Sequence, residues 1–186
     1  MNNEKETIIP LDKNKIALRC TLQGALIVLC GFIIKITLGY PSSNTILIVI
    51  ASVVVLFFAA SSFAFTFSKL FSKSPGFVIS ASGIVDNTAG PSAGAISWEE
   101  IAKIYLTIRN SRFSTIRFVT IEVNDPQKYL MNGNFLARIF KKINYTFFKS
   151  PIHISNVSLK ISFNELASMV EQYYKQYGHT EHQAQM

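Results

Sequence analysis

The sequence predicts a membrane α-helical hairpin followed by a small α+β domain, on three observations. Apolar residues are concentrated in two long runs near the amino terminus. The remainder alternates in short strand-like segments, and it ends in one capped amphipathic helix. Of 186 residues, 49% are hydrophobic and 16% charged, a balance poorer in charge than one compact soluble domain of this size carries. The imbalance is local, because between Cys20 and Phe67 the only charged residue is Lys35.

Residues 1–19 read as a cytoplasmic amino-terminal segment, and residues 20–67 as two transmembrane helices. The first, about 20–38, spans roughly 28 Å at 1.5 Å per residue, and the second, about 45–67, roughly 34 Å, enough to cross a hydrocarbon core with some tilt. Gly39-Tyr40-Pro41-Ser42-Ser43-Asn44 stops the first helix and turns the chain. A soluble core helix rarely runs this far without a polar face. A cleavable signal sequence is excluded by the length of the first run, by the lack of a small-residue cleavage site and by the second run that follows at once. Lys35 lies near the outer end, where its stem stays in lipid while the ammonium reaches the headgroups.

Lys5, Lys13, Lys15 and Arg19 precede the first run and Lys69 and Lys73 follow the second, whereas the turn between them has no basic residue. Both termini are therefore expected in the cytoplasm. Part of the net charge of +7 is explained by these flanks, and nucleic-acid binding is not needed to account for the rest. Cys20 and Cys30 stand about 15 Å apart on one helix, too far for a bridge.

Residues 76–177 contain the second domain, after the break at Ser74-Pro75-Gly76. FVIS (77–80) and GIVDN (83–87) read as a hairpin around Ala81-Ser82, and AISW (95–98) opens a third strand that alternates on through Ile104, Leu106 and Ile108. In STIRFVTIEV (114–123) the apolar phase shifts, which predicts a bulged or curved strand and hence a curved antiparallel sheet or partly open barrel. Asp125-Pro126 ends it. Leu136, Ile139, Phe140 and Ile143 then recur at helical spacing. The last element is a helix begun by Ser162 and Glu165 in capping-box spacing, with Phe163, Leu166, Val170, Tyr173, Tyr174 and Tyr177 as its apolar face. Gly178 stops it, and residues 178–186 form a polar tail expected to be mobile.

The patterns F-V-I-S-A-S-G-I-V from Phe77, I-S-W-E-E-I from Ile96 and F-N-E-L-A-S-M-V-E-Q-Y-Y from Phe163 resemble small bacterial membrane proteins that carry a pleckstrin-homology-like (PH-like) domain behind a transmembrane hairpin. The resemblance extends from Asn14 to Tyr177. It implies a PH-like sheet capped by the carboxy-terminal helix, residence in the bacterial inner membrane and no catalytic residues. Phosphoinositide-binding relatives of that fold carry basic residues in the first strand hairpin. Here Ser80-Ala81-Ser82-Gly83 is uncharged, so that ligand is not carried across.

The strongest candidate for surface contact is FLARIFKKINYTFFK (135–149), in which Arg138, Lys141, Lys142 and Lys149 are interleaved with Phe147 and Phe148. A second basic group, Arg109, Arg112 and Arg117, surrounds a strand turn and reads as a solvated loop or, alternatively, as part of the same membrane-facing surface. Such a segment inserts apolar groups at a lipid interface while its cations meet anionic headgroups; packed on the domain, it would instead solvate its lysines. Trp98, alternating with Ile96, is read as core.

Gly90-Pro91-Ser92-Ala93-Gly94 matches G-x-S-x-G and is followed by Asp125 and His153, but a nucleophile elbow needs a helix after the serine and a strand follows instead. His179 and His182 lack further ligands. No catalytic, cofactor or metal site is therefore expected. The expected function is a non-enzymatic membrane-anchored binding module with a lipid bilayer and an unidentified protein as partners; an immunity protein against a membrane-acting toxin is the alternative. Small residues in the spans, Gly24, Ala25 and Gly31 together with Ala51, Ala59, Ala60, Ser61 and Ser62, also permit homo-oligomers.

Overall fold

A computed structural model describes residues 6–88, 92–110 and 115–178. The chain divides into two compact units. One is Lys13–Ser72, and the other is assembled from both sides of it, Met1–Asp12 and Lys73–Met186.

The first unit is a pair of helices, α1 (Lys13–Gly39) and α2 (Thr45–Phe71), each 27 residues long. Both are long and apolar enough to cross a membrane. The less exposed positions of α1 recur at 16, 20, 23, 27, 30, 34 and 37. That alternation of four and three is the seam of a coiled-coil-like pair. On α2 the corresponding positions include Ser52, Ala59 and Ser62, small enough for close approach. Gln23 Nε2 donates to Ser62 Oγ across the seam at 2.8 Å. The outward residues, among them Leu22, Val28, Phe32, Ile46 and Leu47, are exposed, so these are not helices buried in a protein core.

Both helices run past the apolar windows. Hydropathy marks where lipid-compatible residues stop, whereas the backbone stays helical through Lys13, Lys15 and Arg19 at one end and Ser68 to Phe71 at the other. Lys13 has a defined job there, because its ammonium donates to the carbonyls of Lys69 and Ser72 at 2.6 and 2.7 Å and so caps the carboxy-terminal end of α2.

The second unit is α+β. Its first strand, β1 (Thr7–Ile9), lies within the segment that the sequence reading left as a flank. It pairs antiparallel with β2 (Phe77–Ser80), with Thr7 opposite Ile79 and Ile9 opposite Phe77. Leu11 bridges to Leu159, and the Asp12 amide donates to the Ser158 carbonyl. β3 (Gly83–Asp86) and β4 (Gly94–Ser97) complete a four-stranded sheet in the order β1-β2-β3-β4. Gly83, at φ +146°, is required at the hairpin turn, since a Cβ there would run into the Ile96 carbonyl.

A second sheet, in the order β5-β6-β7, is formed by β5 (Ile101–Asn110), β6 (Thr115–Val123) and β7 (Ile152–Ile154). The two sheets are antiparallel and do not close into a barrel. The bulge expected in residues 114–123 lies instead on β5, between Ile101 and Lys103. The apolar phase shift in β6 has another cause. Val119, Ile121 and Val123 are buried on one face, while Phe118, on the opposite face, packs against Phe148 and His153. A strand covered on both faces carries apolar residues in both registers.

The closing helix α5 (Phe163–Tyr177) contacts both β2 and β5 and completes the core with Leu166 and Val170, fully buried beside Phe77, Ile79, Ile84, Ile96, Val119 and Ile121. Its capping box is formed as expected: Ser162 Oγ accepts from the Glu165 amide, and the Glu165 carboxylate accepts from the Ser162 amide. Trp98 is core, as read from the sequence, though it sits in a short 3-10 turn (Trp98–Glu100) after β4 and donates its indole N–H to the Ser80 carbonyl at 3.0 Å.

Candidate interaction surface

The candidate segment lies between β6 and β7, where the chain leaves the sheet to form two helices. Asp125 caps the first, α3 (Pro126–Leu130), by accepting from the Gln127 and Lys128 amides, and proline occupies the first turn, where its missing N–H costs nothing. The second, α4 (Phe135–Phe148), starts at Asn134, whose side chain accepts from the Ala137 amide at 2.9 Å. It ends at Lys149, held in the left-handed region at φ 59°.

The eight residues nominated from sequence separate into distinct roles. Lys141 is not at the surface. It is 4% exposed, and its ammonium donates to the carbonyls of Tyr129 and Asn132 at 3.1 and 3.2 Å. Burial lowers its pKa, against a smaller opposing pull from Asp86. The reason is geometric: at about 100° per residue, Ala137, Lys141 and Phe148 fall on one side of α4, and this side faces the domain. Phe148 is likewise taken up internally, half-buried at 5.5 Å from Phe118 and 4.8 Å from His153. The Arg109 guanidinium stacks 5.6 Å from the Phe148 ring and donates to the Phe147 carbonyl at 3.4 Å, a cation at a helix carboxy-terminus. Arg109 therefore serves as an attachment of α4 to β5.

Arg138, Lys142, Lys149 and Phe147 remain exposed. Phe147 is 68% exposed, and sequence reasoning missed Phe135, 76% exposed at the other end of the helix. Its helical phase, opposite Ala137 and Lys141, was the available signal. Arg112 lies outside the described residues, as do Gly90 and Pro91 of the G-x-S-x-G match, His179 and His182, and the tail from 179 onward.

Beneath α4, His153 closes a part-buried hydrogen-bond chain. The Ser150 carbonyl, 2.8 Å from Nε2, can only accept, so Nε2 carries the proton and Nδ1 accepts from the Thr120 hydroxyl at 3.2 Å. Thr120 in turn accepts from Thr107 at 2.7 Å. Burial lowers the His153 pKa, partly offset by the Ser150 carbonyl. His153 and Asp125 are thus both engaged in structural bonds. On the far side of the α3 region, Glu100 accepts from Lys128, from Tyr129 Oη at 2.9 Å and from the Ser97 amide at 3.2 Å. These bonds, the Lys128 bond foremost and against some desolvation, hold its pKa at about 2.

A cavity of about 280 Å³ opens between β5 and α5, floored by Ile104, Leu106, Val119 and Ala167, with the Glu171–Lys175 ion pair on its rim. Among the described residues, no group of three or more His, Cys, Asp or Glu side chains is placed to hold a metal ion. Comparison of the chain with family models, with curated proteins and with solved structures finds no match in any of the three.

Proposed function

We propose that the chain is a membrane-anchored, non-enzymatic binding module. In this reading α1 and α2 cross the bacterial inner membrane as a hairpin and hold the sheet domain, PH-like in organisation, at the cytoplasmic face. The observation that carries this reading is the connectivity. β1 precedes the hairpin, β2 follows it, and the two are paired residue for residue, so both ends of the hairpin enter one sheet on one side. The basic flanks support the cytoplasmic side, since Lys13, Lys15, Arg19, Lys69 and Lys73 all lie at the sheet ends of the two helices and the connecting turn has no charge. The engagement of Asp125 and His153 in structural bonds supports a role without catalysis.

Single cysteines introduced at Ser43 in the turn and at Lys160 in the domain, with Cys20 and Cys30 replaced by serine, test the arrangement. In intact spheroplasts a membrane-impermeant thiol reagent is expected to label position 43 and to reach position 160 only after lysis. The protein should also stay in the membrane after alkaline extraction. Labelling of position 160 in intact cells, or release by alkali, overturns the reading.

A further inference from the structure

Resting on that anchored reading, we infer that α4 is an interfacial helix that docks the domain onto an anionic lipid surface. Two observations converge on it. The first is the direction of its faces. Ala137, Lys141 and Phe148 fix one side of the helix to the domain, and the remaining arc carries exposed Phe135 and Phe147 with half-buried Ile139 and Ile143 between them, and Arg138 and Lys142 along one border. Phe135 and Phe147, 76% and 68% exposed, project at the two ends, and Met131 in the preceding turn is 49% exposed. Large apolar side chains left in water at both ends of one helix, beside cations, match the pattern of a helix lying in a headgroup layer.

Charge is the second observation. From Pro126 to Asn164 the chain holds Lys128, Arg138, Lys141, Lys142, Lys149 and Lys160 and no acidic residue. Lys141 is held internally and Lys128 is paired with Glu100, but Arg138, Lys142 and Lys149 are exposed cations, complementary to phosphatidylglycerol-type headgroups.

The test uses the full chain in lipid nanodiscs, with Cys20 and Cys30 replaced by serine. An environment-sensitive fluorophore is placed at Phe135→Cys, at Phe147→Cys or, as a water-exposed control on α5, at Lys175→Cys. The discs contain phosphatidylcholine alone or mixed with phosphatidylglycerol, and spin-labelled lipid serves as quencher. Docking predicts quenching at positions 135 and 147 in the phosphatidylglycerol discs, and a fall to the level of position 175 both in phosphatidylcholine discs and in the Arg138→Glu/Lys142→Glu/Lys149→Glu variant. Lys141 is left intact so that the domain stays folded, which circular dichroism confirms. Quenching at 135 and 147 no greater than at 175 in a disc-inserted chain overturns the docking and leaves the anchor standing. Quenching indifferent to lipid charge, or a spectral shift that grows with copies per disc without quenching, overturns it in favour of simple burial or self-contact. A chain that does not enter discs at all overturns the anchor and the docking together.

Discussion

Lys141 and Lys142 are adjacent and identical in type, yet the structure gives them opposite roles. Lys141 is buried and held by two main-chain carbonyls, so Lys141→Ala is expected to destabilise the domain by about 2 kcal/mol, whereas Lys142→Ala should change stability by less than about 0.5 kcal/mol. Chemical denaturation of the detergent-solubilised protein, followed by Trp98 fluorescence, reads both. His153 supplies a second expectation at this scale. Its folded pKa lies below the ordinary 6.5, so below that pH the unfolded chain binds the extra proton more readily than the folded one. Its contribution is therefore complete above pH 6.5 and is lost as pH falls through the folded value. The unfolding midpoint should drop between pH 7.5 and 5.5, and a His153→Gln variant should drop less. The sequence announced the basic and aromatic character of residues 135–149 but not this division of labour. Helical spacing puts Lys141 with Ala137 and Phe148 on one side of α4, but that this side meets the domain, with the Tyr129 and Asn132 carbonyls to receive the ammonium, is a tertiary fact.

At the scale of elements, the legible parts were those whose signal is local. The two apolar runs, the Ser162–Glu165 box and the hairpin turn at Ala81-Ser82 each depend on neighbours within a few residues, and each formed as read. β1 was missed because Thr7-Ile8-Ile9 is three residues long and finds its partner only across the hairpin, at Ile79 to Phe77. The misplaced bulge has the same origin, since the second apolar face of β6 is explained by Phe148, supplied from α4. The end of α4 carries its own expectation. Lys149 adopts a left-handed backbone that costs a side-chain-bearing residue about 1 kcal/mol relative to glycine, so Lys149→Gly should raise stability by roughly that amount. A higher thermal midpoint checks it, and an unchanged or lower one would mean that the side chain offsets the strain.

For the molecule as a whole, the hairpin is an insertion within a sheet, and chain order then imposes a condition on biogenesis. β1 leaves the ribosome first but has no partner until β2 follows, after both apolar helices have been made. Suppose only one helix crosses the bilayer. Thr7–Ile9 and Phe77–Ser80 are then stranded in different compartments, and the β1–β2 ladder cannot form. A mis-threaded chain thus lacks its first sheet edge and exposes Phe77 and Ile79, which are fully buried in the folded domain. On the proposed hairpin topology, correct insertion and correct folding are a single event, and quality-control proteases that recognise unpaired apolar strands would read topological error directly as unfolding.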